Sequence, residues 1–179
     1  MTGTSQSSLL PYQQMIQLLQ KAGWYENRCV DISAYIEQCP TSADLFPAAR
    51  SFLEEFWGID EIIYFKYYSH ISGEVLAESP WHEYEVHFIP NAEETLRCST
   101  EMHSILKYAN EDCYCLGLTG YYYSAVTAIG RSGKLYLLHD YDPNVHAFDN
   151  LIDSMIHELH MHRLVPHSLM GWNKKGNEI

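Results

Sequence analysis

From Cys113 to Gly130 the chain runs for 18 positions without a charged residue. A stretch of that kind has two stable homes, a lipid bilayer or the inside of a folded domain, and its length reaches only the lower limit of a membrane span of about 20 residues. Gly117, Thr119, Gly120, Ser124, Thr127 and four tyrosines lie within it. Those residues suit two buried strands and a turn better than a lipid-facing helix. Strands are therefore expected over Cys113 to Leu116 and Tyr122 to Ile129, with no membrane insertion.

The rest of the chain supplies material to pack against them. Tyr12, Met15, Ile16 and Leu19 recur at helical spacing, and Gly23 after Lys21 is a stop signal. Asp31 is expected to cap a short second helix carrying Ile32, Tyr35, Ile36 and Cys39 on one face, ended by Pro40. Asp44 is expected to cap a third, with Pro47 in its first turn and Leu45, Ala49, Phe52, Leu53 and Phe56 as one stripe before Gly58. Strands then follow over Ile62 to Ser69 and Tyr84 to Ile89, with a shorter one over Val75 to Ala77. The segment from Glu93 to Tyr108 carries Leu96, Met102, Ile105 and Leu106 at helical spacing, opposed by Cys98, Ser99 and Thr100.

The turn Gly130-Arg131-Ser132-Gly133 leads into a strand from Lys134 to His139, the clearest hairpin signal in the chain. Phe148, Leu151, Ile152, Met155, Ile156 and Leu159 then form the apolar stripe of a last helix ending before Pro166. Helices first, strands in the middle and a closing helix predict an α+β fold, a mixed, largely antiparallel sheet flanked by helices in a single domain. Residues 9–165 make up that domain, between a polar tail over 1–8 and a C-terminal tail over 166–179. The chain is 179 residues long and 46% hydrophobic, enough to bury a core without staples. Its five cysteines lack a disulfide framework spacing and its first ten residues lack the positive and apolar regions of a signal peptide, so a reducing cytoplasm is expected.

No catalytic or cofactor pattern emerges. There is no G-x-S-x-G elbow, P-loop or dinucleotide fingerprint. The cluster His157-Glu158-Leu159-His160-Met161-His162 misses the H-E-x-x-H spacing of a zinc helix, because Met161 stands four residues after His157. His157, Glu158 and His160 flank the apolar stripe and are expected in solvent. Cys113-Tyr114-Cys115 is read as core, its two thiols expected on opposite faces of a strand. Neither pattern assigns a metal, a cofactor or a catalytic residue.

The formal net charge is −12. Between Lys66 and Arg97 stand six glutamates, Glu74, Glu78, Glu83, Glu85, Glu93 and Glu94, and no lysine or arginine. Such a field repels phosphate backbones and attracts basic surfaces, which disfavours nucleic acid as a direct partner and favours a basic protein. Charge alone equally serves solubility.

One succession of motifs narrows the choice. Ala22-Gly23-Trp24 is followed by Asn27-Arg28-Cys29-Val30-Asp31, then Phe46-Pro47-Ala48-Ala49, then Ser51-Phe52-Leu53-Glu54-Glu55-Phe56-Trp57-Gly58. Leu116-Gly117, Ile129-Gly130, Ser132-Gly133-Lys134-Leu135-Tyr136 and the terminal helix continue the pattern. In this order they resemble the third subgroup of the SUKH (Smi/Knr-like) immunity proteins over about residues 15 to 165, with Trp57 where the subgroup has the first of two glycines. The resemblance implies a mixed sheet flanked by helices and a role as antidote to a cognate toxin domain, often a nuclease or nucleic-acid deaminase. A non-catalytic regulator or scaffold of the same superfamily, and an unrecognised hydrolase, are the alternatives. It transfers no binding residue to this chain, so the charge pattern nominates the partner surface: Glu74, Glu78, Glu83 and Glu85 around the aromatic anchors Trp81 and Tyr84, with Asp140, Tyr141 and Asp142 next. Trp24, by contrast, is expected in the core with Phe52 and Phe56.

Overall fold

The computed structural model describes residues 11–39, 45–67, 82–88, 98, 101–119, 125–161 and 164–165. Three helices come first, α1 (Pro11–Lys21), α2 (Ser33–Gln38) and α3 (Pro47–Phe56). Strands β1 (Asp60–Tyr67) and β2 (His82–His87) follow, then α4 (Met102–Ala109) and the strands β3 (Cys113–Thr119), β4 (Ala125–Gly130), β5 (Leu135–His139) and β6 (Asp142–Phe148). The last helix, α5 (Leu151–Met161), is followed by the short β7 (Leu164–Val165). The architecture is α+β. Its described strands form two antiparallel sheets, ordered β2-β1-β7 and β3-β4-β5-β6.

The helix starts obey the sequence signals with small shifts. α1 closes at Gly23, whose φ of 101° is open to glycine at no steric cost. The cap position of α2 is Ile32, one residue beyond the expected Asp31. Asp31 still serves the start, because Oδ1 accepts the Ser33 backbone N–H at 2.9 Å and the Ser33 hydroxyl at 2.5 Å. α3 starts with Pro47 in its first turn and Phe46 at its cap; the expected cap Asp44 lies outside the described residues, as do Val75 to Ala77 and Glu93 to Arg97. α5 is preceded by Asn150, which no sequence signal had singled out. Asn150 Oδ1 accepts the Asp153 N–H at 2.9 Å, an N-cap bond, and its side-chain amide donates to Asp153 Oδ2 at 2.7 Å, a side-chain pair across the first turn.

The uncharged run lies at the centre of the molecule. All six residues of β4 are buried, because both faces of the four-stranded sheet are covered. Tyr114, Leu116, Ile129, Leu135 and Leu137 face the main core with α1, α2, α3, α5 and the end of β2. Val126, Ala128, Tyr136 and Val145 face a second core under α4, with Met102 and Ile105. Alternation along a strand sends neighbours to opposite faces and residues two apart to the same face. Cys113 and Cys115 accordingly both pack against the second core, which corrects the expectation that their thiols diverge. The phase then shifts at a bulge between Cys115 and Gly117, where Gly117 takes φ 101°. Leu118 thereby joins the second core, and Thr119 meets Thr127 through a hydroxyl pair at 2.6 Å.

The β4–β5 turn is held by Glu111, which accepts the Ser132 N–H at 2.8 Å, the Ser132 hydroxyl at 2.6 Å and the Tyr136 phenol at 2.7 Å. A Cβ on Gly130 would run into the Glu111 carboxylate, so a side chain there would push the end of Glu111 out of its place on the turn.

Two further expectations fail. Phe148 ends β6 rather than opening the last helix, and Glu158 is 1% exposed instead of solvated. Glu158 follows the equally buried Ser154 by one helical turn, so α5 presents a polar strip to the interior beside its apolar one. His157 is half-buried, and His160 stands in solvent.

Candidate functional site

Of the residues nominated for partner binding, Glu74, Glu78 and Trp81 lie outside the described residues. Glu83, Tyr84 and Glu85 are on β2, in register with Tyr64, Ile63 and Ile62 of β1. Asp140, Tyr141 and Asp142 make the tight connection from β5 to β6. Here the geometry is specific. Asp142 Oδ2 sits 2.8 Å from His146 Nε2, and Oδ1 accepts the Asn144 backbone N–H at 2.9 Å and its side-chain amide at 2.7 Å. The His146 hydrogen bond, then those of Asn144, pull the Asp142 carboxyl down to about 2. Tyr141 stacks on the buried His139 with ring centroids 5.0 Å apart, yet remains 42% exposed. A rigid aromatic between two carboxylates is thus displayed at one end of the sheet.

Three imidazoles gather behind this turn. His146 lies 6.5 Å from His139 and 5.1 Å from His157, ring centre to ring centre. Burial, followed by His146 and His160, lowers the pKa of His157, and Asp142 opposes the shift. Among the described residues no group of three or more histidine, cysteine or acidic side chains is placed to hold a metal ion.

A second feature was not legible in the sequence. A cleft of about 630 Å³ opens between α1, α3, the β4–β5 turn and the start of α5. Its floor is apolar, with Phe52, Phe56, Leu135 and Ile152, and its lining includes Glu26, Glu55 and Asp149 but no lysine or arginine. Trp24 forms part of the wall. It is half-buried at the edge of the core rather than within it, which modifies the expectation for this residue. Its indole N–H donates to Glu55 Oε1 at 2.9 Å, and its ring stacks on Phe56 at 6.4 Å with planes 8° apart. Arg28 closes the neighbouring loop by donating to the carbonyls of Glu55 at 2.5 Å and Trp57 at 2.9 Å. The motif residues Trp24, Arg28 and Glu55 therefore form one device that ties the turn after α1 to the end of α3. The only sequence signal for it was the succession of short motifs; the carboxylates at 26, 55 and 149 are too far apart in the chain to be joined by spacing.

The sequence model of the family described as SUKH-3 immunity protein matches residues 11–159. The chain belongs to the SUKH-3 immunity protein family. The match runs from the first residue of α1 into α5, so it takes in the cleft, the four-stranded sheet and the β5–β6 turn. Membership in SUKH-3 supports an immunity role, in which the protein binds a cognate toxin, and the family is generally non-catalytic. No curated protein and no solved structure matches the chain. Among the described residues, no helix of this SUKH-3 protein is long and apolar enough to cross a membrane.

Proposed function

We propose that this SUKH-3 protein is the cytoplasmic antidote to a polymorphic toxin that acts on nucleic acid, a nuclease or a nucleic-acid deaminase, and that it works by stoichiometric occlusion. The observation that carries this reading is a net charge of −12 on a chain of an immunity family. An enzyme that handles nucleic acid needs a basic cleft for phosphates, and an acidic protein is drawn to that cleft by long-range attraction. Binding that fills the cleft excludes substrate, so no bond need be made or broken and no cofactor is required. The acidic stretch with Glu74, Glu78, Glu83 and Glu85 provides the steering field, and Trp81 and Tyr84 the aromatic contacts; Asp140, Tyr141 and Asp142 form the next candidate surface.

The test is association and dissociation kinetics with the toxin domain encoded by the neighbouring gene, at low and high salt. Rim charges chiefly set the rate of encounter and buried anchors the rate of release. Reversing Glu83 and Glu85 to lysine is expected to slow association on the order of ten-fold or more at low salt and to flatten its salt dependence. Trp81→Ala is expected to speed release. Unchanged association in a folded charge-reversed variant moves the interface away from this stretch.

A further inference from the structure

We infer that the cleft between α1, α3 and the start of α5 receives an arginine side chain of the toxin together with its apolar neighbours. This rests on the immunity reading and names where the partner is anchored, a place that the acidic stretch does not reach in sequence.

Volume and chemistry both define the occupant. About 630 Å³ falls in the range of roughly 300–1,000 Å³ typical of ligand pockets, far more than one methyl or one water needs. The apolar floor favours an aliphatic stem or a flanking hydrophobe. Glu26, Glu55 and Asp149 give the cleft a one-signed lining, and the nearby cations are already engaged. Arg28 donates to two backbone carbonyls, and Lys134, with Nζ 3.7 Å from Asp149 Oδ1, already pairs with that carboxylate, which leaves Glu26 and Glu55 to meet a new cation.

Glu55 is fixed by the Trp24 indole through Oε1. Oε2 accepts no hydrogen bond among the described residues, which leaves an acceptor beside an immobilised aromatic wall. A planar guanidinium is the group that combines stacking on an aromatic face with hydrogen bonding to carboxylates. A lysine ammonium satisfies the charge but not the plane, and an acidic or purely apolar segment leaves Glu26 and Glu55, which have no ion-pair partner among the described residues, without a counter-charge. Because the Trp24 ring is pinned by Phe56 and Glu55 before any partner arrives, little rotamer freedom remains to be lost on binding.

The experiment uses the full chain and the toxin domain from the neighbouring gene, with rates measured by surface-immobilised kinetics. Ser51 is exposed on α3 and lines the cleft, so Ser51→Trp fills the space without removing any packed group. Glu26→Lys changes the sign of the lining, and Glu101→Lys, at an exposed position before α4, makes the same charge change elsewhere. Far-ultraviolet dichroism and a urea midpoint establish that each variant is folded. The expected result is at least a ten-fold faster release for Ser51→Trp and Glu26→Lys, with Glu101→Lys releasing at the wild-type rate. Tight wild-type binding that neither cleft variant alters overturns the inference and leaves the immunity reading standing. An equal effect of Glu101→Lys overturns it in favour of general charge. Self-association of the wild type that Ser51→Trp abolishes assigns the cleft to a second copy of this chain. No binding of the toxin by the wild type overturns the immunity reading and the inference together.

Discussion

His157 shows how a single side chain registers its surroundings. It was expected in solvent as one of a run of histidines, but α5 lays it against β6, within 5.2 Å of the Phe148 ring and 5.1 Å of His146. Burial first, then the two neighbouring imidazoles, keeps it neutral to lower pH than the ordinary 6.5. In the unfolded chain those influences vanish. As pH falls below about 6.5, the unfolded state takes up a proton that the folded state resists, so stability is fully present above that pH and declines on acidification. The urea midpoint of the wild type is expected to drop between about pH 7.5 and 5.5, and His157→Gln is expected to lose less over the same interval. An unchanged acid loss in the variant removes His157 as a contributor. Sequence spacing argued against a zinc helix in this run but could not locate its side chains, since Glu158 is buried and His157 half-buried while the nearby His160 is exposed. A stripe at helical spacing identifies the face that must be buried, and it says nothing about how far burial extends around the helix.

At the scale of elements, legibility followed the apolar pattern. The stripe of α3 was plain, and its reward is a triad of aromatic rings: Phe52 lies 4.7 Å from Phe56 and 5.5 Å from Phe88, and Phe56 lies 5.8 Å from Phe88. Phe52→Ala is expected to cost about 3–5 kcal/mol, read as a lowered denaturation midpoint. A midpoint equal to that of the wild type would falsify this placement of α3 in the core. The same region explains Trp57. It stands where the subgroup has a glycine, yet its φ is −59°, which any residue adopts; Gly58, at φ 83°, carries the conformation that calls for glycine. The strand β6 was missed for an equally physical reason. Asp142-Pro143-Asn144 opens it without apolar alternation, and among the described strands it pairs with β5 alone, at the sheet edge, where proline is tolerated. Turn residues and an edge strand look alike until the partner strand is seen.

At the scale of the whole molecule, the fold was more legible than the site. Periodicity and turn residues are local, so helices first, strands next and a helix last could be read along the chain. The cleft is not local. Its carboxylates come from the loop after α1, from α3 and from the connection before α5, and only packing around the four-stranded sheet brings them to one place. That sheet has a consequence for how the molecule breathes. β4 is paired along both edges, by β3 and β5, and covered on both faces, one core toward α1, α3 and α5 and the other toward α4. Fraying an end or lifting one helix leaves its amides still shielded from the opposite side. Deuterium is therefore expected to enter Val126 to Ile129 last, at a rate governed by global unfolding, and to enter the edge strand β6 well before. Mass-resolved exchange over hours measures the difference, and early labelling of Val126 to Ile129 would show that one layer opens without the other. Ile129 and Leu135 carry that protected sheet to the floor of the cleft, so slow exchange at β4 would give the proposed docking site a floor that stays in place until the chain unfolds as a whole.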